Sequence, residues 1–192
     1  MIAAALGIDK HGENEADIIA RFAKVRLTVV SLPRRDHRGR DRLIQRLEDY
    51  HTVTGIRRAS GKVDDDATVL TSRHYLLDAR FGVLLDGNPP LIEEIEAALS
   101  NPKWGVWFGR KCCVPATPVL VAKSCERLKA WRLLLQRTGY SGDESLDYFD
   151  HVIEVAADES GAEFLEDAPL GYGHPIGERH TARWIRRIPK NR

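Results

Sequence analysis

The stretch EDYHTVTGIRRASGKVDDDATVLTSRHYLL, residues 48–77, constrains the fold more tightly than any other part of the chain. Its two ends, YHTVTGI and ATVLTSRHYLL, are rich in Thr, Val, Ile and Tyr, the residue types that fit a pleated surface. Its middle carries Gly55, Ser60 and Gly61 beside Arg57, Arg58 and Lys62. That composition predicts a long, partly irregular β-hairpin with a basic tip.

Helical and strand patterns alternate on either side of it. MIAAALGI reads as the middle of a buried helix with no capping residue before it. Ile18, Ile19, Phe22 and Val25 recur at helical spacing within 15–25. VRLTVVSL (25–32) is a β-branched run ended by Pro33, hence a strand, and PRRDHRGRDR is a basic loop. YLLDARFGVLL (75–85) continues as a buried strand and DGNPP turns the chain. Pro90 suits the first turn of a helix, whose apolar face is Leu91, Ile92, Ile95, Ala98 and Leu99. Glu93, Glu94 and Glu96 are expected toward the positive end of its dipole. WGVWF (104–108) reads as a strand, KSCERLKAWRLLLQ as a helix ended by Thr138-Gly139. FDHVIEVAA (149–157) and TARWIRRIP (181–189) read as strands around an acidic, Gly-rich connection, about 140–178. From the second helix onward this order predicts an α+β, ferredoxin-like (RRM-like, RAMP) sandwich without its first strand, the hairpin inserted as a thumb at about 52–72.

At 192 residues the chain reads as one domain, 1–192. No apolar run approaches the roughly 18 residues of a membrane span, and the start lacks the basic-then-apolar plan of a secretory signal. Three cysteines, two of them adjacent, make no disulfide framework, which points to a reducing, cytosolic setting.

A net charge of +1 conceals segregation. Basic residues crowd Arg21 to Lys62 and return at Arg179, Arg183, Arg186, Arg187, Lys190 and Arg192. Between Arg137 and Arg179 there is no Lys or Arg, while ten carboxylates from Asp143 to Asp167 fall there. Such a distribution suits a polyanion on one face and a protein neighbour on another, or simply solvated loops.

The candidate chemistry narrows from there. Cys112-Cys113 lacks the spacing of a zinc knuckle, and Cys125 follows without a His pair, so these thiols are expected as small buried hydrophobes. Arg110 and Lys111 could lower a thiol pKa, but spacing identifies no His–carboxylate partner. His37, His51 and His74 stand in or beside basic segments, where general acid–base cleavage of RNA is one reading; His174 and His180 lie in the tail. Binding explains more residues than cleavage. Gly109 allows close backbone approach to a phosphate, Arg110 and Lys111 add charge, and Pro115 and Pro118 stiffen the exit. In the hairpin, Val53, Ile56 and Val63 offer wedges for splayed bases, with Arg57, Arg58, Lys62 and Arg73 as anchors.

EDYHTV, TSRHYLLDARFGVLL, PKWGVWFGRKCCVPATPV and LEDAPLGYG…RHTARWIRRI occur in the order seen in one family. The chain resembles the fifth Cas family, the CasD-type subunits of the CRISPR Cascade complex, and most of all its type I-E branch, from about Ile2 to Pro189. The resemblance implies a non-catalytic, cofactor-free RNA-binding subunit with a ferredoxin-like core and a thumb hairpin. It implies that such a subunit holds the five-prime handle of the crRNA and caps the filament of CasC-type backbone subunits. It further implies contact with the CasA-type large subunit, and with target DNA only through the complex. The implied RNA contacts are Tyr50, His51 and Thr52 at the hairpin base, Arg73 and His74 on its return, and Gly109, Arg110 and Lys111 at the turn. Arg57, Arg58 and Lys62 join them on charge alone. The family begins with an extra strand that this chain is expected to lack, and Phe108 and Val114 stand where it tends to have Leu and Pro. The alternative is a metal-independent endoribonuclease that processes CRISPR repeat RNA.

Overall fold

A computed structural model describes residues 1–10, 12–123, 126–172 and 180–191; Cys125, His174, Arg179 and Arg192 lie outside the described residues. The chain divides into two compact units, Met1–Ser31 with Phe81–Arg192, and Leu32–Arg80.

The first unit is a five-stranded antiparallel sheet with helices. Its strands are β1 (Arg26–Ser31), β4 (Phe81–Asp86), β5 (His151–Glu154), β6 (Glu163–Pro169) and β7 (His180–Ile188), in the order β4-β1-β5-β7-β6. Alternation along a strand sends Thr28, Val30, Leu84 and His151 to one face, where all four are buried. Helix α4 (Arg127–Arg137) is tied to that face, because Arg127 donates to Thr28 Oγ1 at 2.8 Å and pairs with Asp86. Trp131, Leu134 and Leu135 are its buried stripe, and Trp131 Nε1 donates to the Glu144 carbonyl at 2.7 Å. Phe149 is buried at the meeting point, with the rings of Trp131, Tyr140 and Tyr148 edge-on to it at 5.5, 5.0 and 5.2 Å.

On the other face Leu85 joins a second core. Val25, Leu91 and Ile95 form its centre, with Ile2, Phe22, Ile92 and Leu99 around them. Apart from Val25, which lies between α2 and β1, these come from α1 (Ile2–Leu6), α2 (Glu15–Phe22) and α3 (Pro89–Ser100), the last two carrying the helical stripes read from the sequence. Helix α3 opens on two prolines and has no acidic residue in its first turn. Glu93, Glu94 and Glu96 therefore lie too far along to complement the dipole. Glu93 and Glu96 instead hold Lys123, each at 3.2 Å, and Glu94 pairs with Arg21.

Two expected strands fold differently. The run 75–85 is broken: the hairpin strand β3 (Val63–Leu77) ends at Leu77, Asp78 takes a φ of 54°, and β4 begins at Phe81. Tyr75 pairs with Leu47 of the hairpin whereas Phe81 pairs with Ser31 of the main sheet, so one apolar run serves two sheets. WGVWF forms no strand. The N–H groups of Lys103 and Trp104 donate to the Ala5 and Ala4 carbonyls at the end of α1, at 2.8 and 3.2 Å, the Ala4 carbonyl being shared with the Gly7 N–H at 3.1 Å. The acidic connection also has structure of its own, a 3-10 turn at Leu146–Tyr148 together with β5 and β6.

The second unit is the hairpin and its approach. Strands β2 (Gln45–Arg57) and β3 (Val63–Leu77) pair antiparallel from Gln45↔Leu77 to Arg57↔Val63, with a register shift between Thr54 and Ile56. Its tip closes by Arg58 N–H to Lys62 carbonyl, 2.9 Å, and Gly61 N–H to Arg58 carbonyl, 2.8 Å. Gly61, at φ 83°, supplies the left-handed residue that this kind of short loop needs. The paired ladder begins at Gln45, so the ribbon extends beyond 52–72 at its base.

Candidate nucleic-acid interface

Pairing register sorts the hairpin residues. Thr52 faces Leu70, Tyr50 faces Ser72 and Glu48 faces His74, so Tyr50, Thr52 and His74 share one side of the ribbon. His51 and Arg73 project to the opposite side. The Tyr50 side is the open one: Tyr50 is 64% exposed, Leu70 58% and Leu76 52%. On the His51 side, Asp49, Val53, Thr71, Arg73 and Tyr75 are half-buried, while His51, Leu47, Val69 and Leu77 are exposed, so that side is the less open of the two. Sequence adjacency thus groups Tyr50, His51 and Thr52, and the pleat separates them. The same separation keeps His51 and His74 from acting as a two-histidine acid–base pair. Composition does not single out Leu70 and Leu76; register with Tyr50 is the signal that finds them.

Charge at the tip is balanced rather than simply basic. Arg58 is paired with Asp64, whose other oxygen accepts the Ala67 N–H at 3.1 Å. Asp64, Asp65 and Asp66 thus stand on the strand returning from Arg57, Arg58 and Lys62. Of the expected wedges, Val63 is exposed while Val53 and Ile56 are half-buried. A basic excess lies in the approach to the hairpin. There Asp36 organises PRRDHRGRDR: its carboxylate accepts the N–H groups of Arg38 and Arg40 at 2.8 and 3.0 Å and pairs with the Arg40 side chain. Those donors, the Arg40 N–H first, hold the Asp36 carboxyl below the usual carboxylate range against the opposing effect of burial. His37 lies within this loop.

The Gly109 turn belongs to the first unit. Phe108 N–H donates to the Cys113 carbonyl, Cys113 N–H to the Arg110 carbonyl and Arg110 N–H to the Phe108 carbonyl, each at 2.9 Å. Gly109 sits inside the smallest of these loops at φ 75°, a value that side chains strain to adopt. A Cβ placed there would meet no atom within 4 Å, so the space above the glycine is open. Arg110 and Lys111 are exposed beside it, and Lys111 Nζ lies 5.8 Å from the Trp107 ring centre. The expectation of buried thiols fails here: Cys112 is exposed and Cys113 half-exposed, because the turn projects instead of entering a sheet. Among the described residues no three His, Cys, Asp or Glu side chains gather as metal ligands.

The tail arginines are engaged within the chain. Arg183 pairs with Asp167 and, at 3.2 Å, with Glu154; Arg186 reaches Glu159 at 3.5 Å and Arg187 reaches Glu163 at 2.9 Å. The Arg183 guanidinium, ahead of any other influence, holds the Asp167 carboxyl below the ordinary carboxylate range. Acidic and basic blocks far apart in sequence thus neutralise each other across β5, β7 and β6.

Residues 1–186 match the family model described as CRISPR-associated protein (Cas_Cas5), and the chain belongs to that family. It is 35% identical over 100 residues to the CRISPR system Cascade subunit CasD of Escherichia coli (strain K12), a match spanning 50% of this chain and 44% of that protein. The fold is that of a chain in a solved "CRISPR RNA-guided surveillance complex": TM-score 0.66 at 24% identity, covering 98% of this chain and 75% of the other. A second solved structure, "Crystal structure of Cas protein", gives a TM-score of 0.55 at 26% identity, covering 98% and 77%.

Proposed function

We propose that this chain is a non-catalytic RNA-binding subunit of a type I, I-E-like, CRISPR surveillance complex (Cascade). It holds the five-prime handle of the crRNA, caps the CasC-type backbone filament, contacts the CasA-type subunit, and meets target DNA only through the assembly. It works in the cytoplasm; among the described residues no helix is long and apolar enough to cross a membrane. Its core is a ferredoxin-like sheet carrying a thumb, in which β1 and β4 are two of the core strands and the hairpin is inserted between them.

The observation that carries this reading is the ribbon. Two paired strands of 13 and 15 residues expose Tyr50, Leu70 and Leu76 along one side. A two-stranded hairpin is marginal in water without something against it. Unpaired RNA supplies bases for the tyrosine and the leucines, and phosphates for the surrounding arginines. Tyr50, Thr52 and His74 then act from the open side, His51 and Arg73 from the other, Arg57, Arg58 and Lys62 from the tip, and Gly109, Arg110 and Lys111 from the turn.

Charge reversal at Arg110 and Lys111 tests it. Handle-RNA affinity of the purified chain should fall by about tenfold or more, the scale of one or two charge-assisted phosphate bonds, and the assembled complex should release its crRNA. Full retention of RNA by the doubly reversed complex refutes the assignment of the turn. Sequence-specific cleavage of labelled repeat RNA in EDTA would favour an endoribonuclease instead.

A further inference from the structure

We propose that Cys112 and Cys113 form a redox-sensitive vicinal dithiol, which a small-molecule disulfide closes reversibly and which, once closed, impairs RNA binding by the Gly109–Lys111 turn. The second half of this proposal rests on the RNA-binding reading; the first half does not. The two thiols are free, accessible to solvent, and have their Sγ atoms 3.9 Å apart, already touching. Neighbouring Cα atoms are separated by about 3.8 Å, shorter than the usual span of a disulfide at about 4.4–6.8 Å. The eight-membered ring formed by closure is therefore strained. Strained, exposed disulfides are easily reduced, which makes this bond a reversible one and unsuited to a permanent staple.

Exposure assigns the roles. Cys112 is the more accessible sulfur and attacks first, while burial, followed by the neighbouring Cys112, pushes the Cys113 thiol up and favours it as the second nucleophile. The Cys112 thiolate attacks one sulfur of the small disulfide and expels one thiolate. Cys113 then gives up its proton, attacks Cys112 Sγ and expels the other. Two protein thiols are oxidised, one external disulfide is reduced to two thiols, and the protons released by the cysteines are recovered on the leaving groups.

Closure acts on the turn because Cys113 is part of its frame. Its carbonyl accepts from Phe108 and its N–H donates to Arg110, both at 2.9 Å. A ring across 112–113 twists the peptide between them and pulls at both bonds, so Arg110 and Lys111 change direction.

The test uses the full chain with Cys125→Ser, treated with glutathione disulfide, alkylated under denaturing conditions and read by peptide mass spectrometry. The expected product is an internal 112–113 disulfide that dithiothreitol reopens, with Cys113→Ser giving a glutathione adduct on Cys112 instead. Handle-RNA affinity should fall about tenfold on closure, the scale of a single charge-assisted phosphate bond, and recover on reduction. Glutathione adducts without an internal bond, or no reaction, overturn the dithiol. Closure with unchanged RNA affinity, when the reduced chain binds well, overturns the coupling. A reduced chain that binds no RNA refutes the RNA-binding reading while the mass spectrum still decides the dithiol.

Discussion

Asp167 and Arg183 show how little a residue's charge says before its partner is known. In the sequence they belong to opposite blocks; in the fold they are paired across β6 and β7. Because the folded Asp167 carboxyl titrates below its unfolded value of about 3.9, its stabilisation is present above that pH and disappears as pH falls through the lower folded value. Asp167→Asn should therefore be less stable than the parent near neutrality, and the gap should close below about pH 4. Urea unfolding at stepped pH measures it; a gap that stays constant down to strong acid would show that the pair does not titrate as a pair. Both side chains are substantially exposed, so the effect belongs with solvent-screened ion pairs and is small.

At the scale of elements, the ribbon turns one sequence motif into two surfaces. Tyr50 and His51 are neighbours in the chain but stand on opposite sides of the sheet. Tyr50→Ala should weaken handle-RNA binding by about 1–3 kcal/mol, the value of one stacked base, while changing chain stability by no more than about 0.5 kcal/mol. Leu70→Ala, its diagonal neighbour on the same side, should act in the same direction. Fluorescence-anisotropy titration beside thermal unfolding separates the two effects. Stability losses as large as the binding losses would mean that the open side packs against the protein itself. The irregularity after Thr54, where Gly55 opposes the Asp65–Ala67 segment, was legible only as Gly-rich composition; where the ladder resumes depends on pairing across strands.

Over the whole molecule, stability rests on the first unit and its two cores. Among the described residues Phe149 is the largest fully buried side chain, ringed by Trp131, Tyr140 and Tyr148. Phe149→Ala should lower unfolding stability by about 3–5 kcal/mol, since removing the ring opens a cavity and leaves its three edge-on partners unmatched. Denaturant titration measures it, and a change below about 1 kcal/mol would mean that the aromatic cluster collapses into the space. The acidic run from Asp143 to Asp167 contributes here too. Glu154 accepts the Leu27 N–H at 2.8 Å as well as pairing with Arg183, so part of what looked like a docking surface joins the sheet together.

Local pattern alone determined the apolar stripes of α2 and α3, the existence of α4, the strand at 26–31, the hairpin with Gly61 at its tip, and the motif order that carries the family. Each of these is written in residues close together in the chain, where period and turn chemistry act directly. Only the tertiary structure decided which side of the ribbon Tyr50 shares, that Trp104 joins a helix end and not a strand, that Arg183 meets Asp167, and that Cys112 stands exposed with Cys113 half-exposed beside it. Those outcomes depend on partners distant in sequence, and a backbone N–H, an arginine or a thiol is committed only when the fold brings its partner within reach.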